Sequence, residues 1–306
     1  MFGRRKRTTT PPYDEAFATK SELHRATRPR MTWSLLTSLF LLITVVFLIL
    51  VEVGDTAVGS IRSKIYFINL NLTNIVPVSI PDATLINSIA QTLGLHDFYT
   101  VGLWGYCEGY NGVGTTTCSK PQTLYWFNPV SIISNQLIAG ASIALPLEIN
   151  NILKLIRIVS HWMFGLFLSG ACLSFVMIFI VPLSVYSRWA SLPITIFTFL
   201  AALLTTVGSV IATVLFIIMR DVITAQTTLN IKATIGIQMF AYMWIAAGAS
   251  IIAFVIQLGM CCCCASRRDV RTGRKRGSMR AWRKRNSAMR EKPTEETMTP
   301  PLNGEA

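Results

Sequence analysis

Charge is what this chain has little of: Asp, Glu, Lys and Arg together make up 14% of its 306 residues, and four long stretches hold almost none of it. Histidine is scarcer still, with His24, His96 and His161 far apart in sequence. No acid, base or histidine falls between Trp162 and Val181 or between Leu192 and Met219. Ionisable groups inside a bilayer are costly to bury and usually mark ion or proton paths. Their scarcity argues against a pump or channel. No serine or cysteine has a plausible base near it in sequence, which argues against nucleophilic catalysis. The chain is therefore read as no enzyme, with no cofactor.

What is present is apolar length. Trp33 to Val53 runs without a charge until Glu52, and similar runs follow at 159–181, 192–219 and 237–260. At 1.5 Å per residue each can cross about 30 Å of hydrocarbon. The first run exceeds the apolar core of a cleaved signal, and some thirty polar residues precede it. Ala57-Val58-Gly59 is a weak cleavage-like match, so the reading chosen is a retained anchor. The expected fold class is a membrane α-helical, four-transmembrane-helix bundle with an ectodomain at 54–158. The connections at 182–191 and 220–236 are short.

Basic residues cluster at the ends. Residues 1–32 form a basic tail, carrying Arg4, Arg5, Lys6 and Arg7 among others, and 261–306 form a second one, whereas the 54–158 loop has five bases and five acids. The positive-inside rule then places both termini in the cytoplasm and the long loop outside. Beside a membrane helix the nearest anion is a lipid headgroup, worth about 1 kcal/mol per basic residue. Arg274, Lys275, Arg276, Arg283, Lys284 and Arg285 are the expected contacts with the anionic inner leaflet, and no nucleic acid is expected. Cys261, Cys262, Cys263 and Cys264 point in different directions around a helix, which suits a zinc site badly. Juxtamembrane cysteine beside a polybasic tail is the two-signal pattern of lipid anchoring, so these four are read as acylation targets.

Five small-x-x-x-small pairs offer close-packing faces: Gly165 with Ser169, Gly170 with Ser174, Gly208 with Ala212, Ala246 with Ser250, and Ala249 with Ala253. Internal packing is the first use expected of them, with lateral self-association as the second.

The long loop mixes strand and helix signals. Ile65 to Thr73 and Phe98 to Tyr106 read as strands, Leu85, Ile86, Ile89 and Leu93 as one face of a short helix, and Val130 to Ile133 and Leu147 to Ile158 as helical. Cys107 and Cys118 close a loop of turn formers, Glu108 to Gly114, and are expected to form a disulfide in an oxidising compartment. That makes the ectodomain a small disulfide-closed α+β unit. Asn71-Leu72-Thr73 is an acceptor sequon for glycosylation.

Gly102-Leu103-Trp104, followed by Cys107 and Cys118, resembles the signature of the claudin-like tetraspan superfamily. The continuation from Cys118 through Tyr125, Trp126, Phe127, Asn128 and Pro129 to Val130 resembles the fungal Sur/PalI family of cortical-patch and eisosome-associated proteins. That resemblance implies a plasma-membrane protein of static domains, linked to cortical actin, endocytosis and cell-wall assembly, and, in the PalI branch, to ambient-pH sensing. Its members are not known as enzymes. Expected partners are membrane lipids, including a sterol- or sphingolipid-rich domain, further copies of the chain, eisosome proteins and the cell wall. Two other readings stay open: a PalI-type accessory of pH signalling, for which a tail of some forty residues is short, and a claudin-like adhesion or barrier protein. Trp104, Tyr125, Trp126 and Phe127 are expected to form the ectodomain's aromatic core or its contact with the outer leaflet.

Overall fold

The computed structural model describes residues 20–59, 61–73, 96–128, 147–185, 188–225 and 231–263. Each apolar run becomes one long helix: α1 Lys20–Val53, α2 Leu147–Ile180, α3 Arg188–Ala225 and α4 Ile237–Cys263. Four segments within or overlapping them, Arg28–Val53, Leu153–Val185, Ser191–Ala225 and Ile237–Cys261, are long and apolar enough to span a membrane. A short 3-10 segment, Val181–Val185, continues α2.

The helices bury their serines, threonines and alanines along one seam with a few leucines and methionines, and expose many of their large apolar side chains. On α1 the inward residues are Ser34, Thr37, Leu41, Thr44, Leu48 and Val51, spaced alternately three and four apart. On α4 they are Met239, Met243, Ala246, Ser250, Ala253, Gln257 and Met260, in the same rhythm. A 3.5-residue repeat is the seam of left-handed helix packing. Leu35, Leu42, Val46 and Ile49 face outward on α1, as they do when lipid is the solvent. Serine and threonine satisfy themselves against backbone carbonyls and across the seam: Thr205 and Ser250 lie 2.9 Å apart, Thr44 donates to the Ala246 carbonyl, and Ser209 to that of Met243. Buried Arg30 donates to the Ser184 carbonyl at 2.7 Å and ties α1 to the 3-10 segment.

Four of the five small-residue pairs are used internally. Gly170 sits so close to α3 that an added Cβ would lie 2.9 Å from the Thr205 side chain. Gly208, Ala212, Ser174, Ala246, Ser250, Ala249 and Ala253 are likewise buried. Gly165 and Ser169 instead face outward on α2, and an added Cβ at Gly165 meets nothing.

At one end of the bundle sits a five-stranded antiparallel sheet of order β4-β3-β2-β1-β5, built from β1 Ile68–Asn71, β2 Phe98–Val101, β3 Tyr106–Tyr110, β4 Gly114–Cys118 and β5 Lys232–Ile235. The fifth strand comes from the connection between α3 and α4, which the sequence presented as a plain loop. Ile68 pairs with Val101 on one side and Ile235 on the other. The step from β5 into α4 passes Gly236, where a Cβ would collide with the Tyr66 carbonyl. The strand expected at Ile65 to Thr73 is confined to Ile68–Asn71, and the one expected at Phe98 to Tyr106 ends at Val101, because Gly102 to Gly105 turns the chain between β2 and β3, with Gly102 N–H donating to the Gly105 carbonyl. Phe67, just ahead of β1, stacks on Phe216 of α3 at 4.5 Å and meets Phe240 of α4 edge-on. Sheet and helix ends thus share one apolar core. The helices expected around Leu85 to Leu93 and Val130 to Ile133 lie outside the described residues.

Candidate functional site

The join between sheet and bundle is organised by the Gly102-Leu103-Trp104 turn. Gly102 has no room for a side chain: a Cβ would lie 2.8 Å from both the Asp55 Cβ and the Gly54 carbonyl. The close approach drives Leu103 into the core and points Trp104 at the helices. Trp104 Nε1 donates to Glu52 Oε2 at 2.7 Å, and its ring meets Phe164 of α2 edge-on at 4.7 Å. One side chain of the sheet therefore touches two membrane helices.

Asp55, just past α1, is the second anchor. It adopts φ 55°, a left-handed conformation that aspartate tolerates better than most residues. Its side chain is 1% exposed, and Oδ1 accepts a hydrogen bond from Thr100 on β2 at 2.9 Å. Its backbone N–H donates to the Arg62 carbonyl, and its own carbonyl lies 3.3 Å from Cys107 Sγ. That sulfur is oxidised, so the contact is packing and not a donated hydrogen bond. Burial pushes the Asp55 carboxyl up to about 7, with the Thr100 hydrogen bond opposing it.

Cys107 and Cys118 are joined and sit directly opposite each other on β3 and β4. The aromatic residues of the motif divide. Phe127 is buried in the shared core, and Tyr125 packs beside Tyr106, its hydroxyl driven strongly up by burial, with the Tyr106 and Asp55 charges adding to that. Trp126 is half-buried, with the Arg157 guanidinium 5.7 Å above its ring. Asn128 is partly buried, and Pro129 lies outside the described residues. On the same face of the sheet, beside Tyr106, burial raises Tyr99 to about 12.

The remaining expected sites are spread out. Asn71 ends β1, half-buried, and its side-chain oxygen accepts from the Thr73 N–H at 3.0 Å. Cys261 lies at the far end of α4, partly exposed. The side chains of Cys262 and Cys263, residue Cys264, and Arg274, Lys275, Arg276, Arg283, Lys284 and Arg285 lie outside the described residues. Among the described residues no three of His, Cys, Asp and Glu come together as metal ligands do. Sequence reasoning missed Glu52 and Asp55. The signal for Glu52 is present in the sequence, as the one acid inside an apolar run, whereas its pairing with Trp104 is not.

Asp55 gives a test of this geometry. Its folded-state value lies above the ordinary 3.8, so the folded protein holds a proton that the unfolded chain releases between 3.8 and about 7. The stability contributed by neutral Asp55 is complete below 3.8 and is lost as pH rises to about 7. Thermal midpoints in lipid nanodiscs should fall between pH 5 and pH 8, and Asp55→Asn, which keeps an acceptor for Thr100, should flatten that slope. An unchanged slope in the variant would assign it to another group.

The SUR7/PalI family model matches residues 33–256. Among curated proteins, the chain is similar to SUR7 family protein pun1 of Schizosaccharomyces pombe, 26% identical over 248 residues, which cover 68% of this chain and 86% of the relative. It is also similar to Protein PUN1 of Saccharomyces cerevisiae, 26% identical over 239 residues, covering 72% of this chain and 88% of the relative. The matched span reaches from the first residue of the α1 apolar run to the last turns of α4 and encloses the Trp104 join, the disulfide and all five strands. This multi-pass membrane protein, with its claudin-like plan of four helices and a disulfide-closed sheet, belongs to the SUR7/PalI family.

Proposed function

We propose that the chain is a non-enzymatic organiser of a fungal plasma-membrane domain of the eisosome or cortical-patch kind, supporting cell-wall assembly and endocytosis. The observation that carries this reading is the outward small face of α2. Gly165 and Ser169 are the one close-packing pair that the bundle leaves on its surface, which suits lateral assembly with a further copy of the chain. In this reading both basic ends lie in the cytoplasm and the sheet faces the wall. Acyl chains on Cys261 to Cys264 and contacts from Arg274 to Arg285 hold the far end against anionic, sterol- or sphingolipid-rich membrane. Cys261 lies in the last turn of the final helix, a juxtamembrane position that supports this reading.

The open space around Gly165 makes the test clean. Gly165→Leu with Ser169→Leu should leave folding and insertion intact, since neither side chain meets the bundle. Photobleaching of a tagged copy should then show patches lost and recovery faster than in the parent. Recovery unchanged by both substitutions, with patches intact, would remove this face from the assembly.

A PalI-type role in ambient-pH signalling is the second reading, and Asp55 favours it, because a buried carboxyl that titrates near neutrality reports the acidity on the sheet's side. The two readings separate on one variant. Asp55→Asn should blunt a response to external pH under the second and leave patch retention untouched under the first.

A further inference from the structure

The chain leaves β4 along Ser119 to Asn128, a segment that returns to the bundle. Gln122 N–H donates to the Trp104 carbonyl at 2.8 Å, and Trp126 lies under Arg157 of α2. Between these two anchors Leu124 has φ 56°, a left-handed conformation that a branched side chain adopts only at a cost in strain. Strain of this kind persists where burial or a ligand offsets it. Here burial within the chain does not, because Leu124 is 48% exposed.

The contact of Trp126 with Arg157 sets the loop's height on the bundle. The apolar span around α2 runs from Leu153 to Val185 and centres on residue 169. Half a hydrocarbon core, about 15 Å, is about ten residues of helix, which puts the edge near residue 159. Trp162, 67% exposed, then sits just inside that edge, as interfacial tryptophans do. Arg157 and Lys154, both exposed, sit just outside it, at the height of the phosphates. Leu155 and Ile158 present apolar surface on the same stretch. A guanidinium seated on an indole ring keeps its N–H edge free to meet an anionic oxygen.

We propose that Leu124 to Trp126 is an interfacial loop, which inserts Leu124 into the leaflet on the sheet's side and holds a phospholipid phosphate against Arg157. The occupant is lipid, because the exposed cations Lys154 and Arg157 stand at the height of its phosphate and exposed Trp162 at the top of its acyl chains. The sheet is thereby docked to the bilayer itself as well as to the helices, a property independent of how copies of the chain assemble.

The test uses the full chain in phosphatidylcholine nanodiscs, with Cys172→Ala and Cys261 to Cys264 changed to serine so that one engineered thiol takes an environment-sensitive fluorophore. Leu124→Cys should give blue-shifted emission that is quenched by lipid bearing a nitroxide near the ester level. Val113→Cys, at the 77% exposed tip of the β3–β4 turn, should give neither. Adding Arg157→Glu, which reverses the charge at an exposed position, should reduce the quenching at 124. Emission at 124 matching that at 113 would overturn the insertion. A blue shift at 124 that is insensitive to nitroxide lipid but grows with protein density would assign the loop to a second copy instead. Quenching unchanged by Arg157→Glu would overturn the phosphate contact.

Discussion

Trp104→Ala should be the most damaging single change in the ectodomain, lowering unfolding stability in a mixed-micelle titration by about 3 kcal/mol. Two losses combine in it. The ring leaves the Phe164 edge and the shared core, and Glu52 Oε2 loses its donor where water does not readily replace it. Trp104→Phe separates the two, because it keeps an aromatic edge on Phe164 and removes the N–H alone. It should cost about 1–2 kcal/mol. Glu52→Gln in that background should cost little more, since the partner has already gone, and a double-mutant cycle over the two positions should show strong coupling. Additive effects, or a Trp104→Ala variant as stable as the parent, would mean that the sheet is seated by Phe67 and β5 without the tryptophan.

Breaking the disulfide should have an effect of similar size but a different place. Closing a loop of this length stabilises by roughly 3 kcal/mol through the unfolded chain. In this sheet the gain falls on one strand. β4 buries little, with Gly114, Thr116 and Thr117 all exposed, and it pairs on one side only. Cys107→Ala with Cys118→Ala should therefore speed hydrogen exchange at the β4 amides, leave β1 and β2 protected between their two neighbours, and impair delivery of the protein to the surface. Uniform loss of protection across the sheet would show instead that the bridge holds the whole domain.

The sequence made the class plain and the join obscure, for reasons that differ residue by residue. Four uncharged runs and one cysteine pair are signals that survive without tertiary context. The inward seam does not announce itself by hydropathy, because its Thr37, Ser174, Thr205 and Ser209 are less apolar than the leucines they leave facing lipid. Its trace was the small-residue spacing, and that found four internal pairs without saying which fifth pair would face out. Phe98 to Tyr106 reads as one strand because its apolar content is continuous, while the break depends on how closely Gly102 approaches Asp55. Lys232 to Ile235 is four residues of ordinary composition, and becomes a strand because β1 offers it an open edge. Glu52 and Trp104 stand 52 positions apart, so their hydrogen bond exists only once a turn and a helix end have been placed together.

That fifth strand also sets the order in which the molecule can be finished during synthesis. β1 receives its second neighbour from residues made about 160 positions later, a wait on the order of ten seconds or more at ribosomal speed. Through that interval the nascent sheet presents the bare edge of β1, an open template for pairing with another chain. Lys232 to Ile235 follows α3 in the chain, so the edge closes only after that helix has crossed the bilayer. Chains that stall or insert wrongly before that point carry their own mark of incompleteness, and a sealed sheet reports that the first three helices have crossed in the right order.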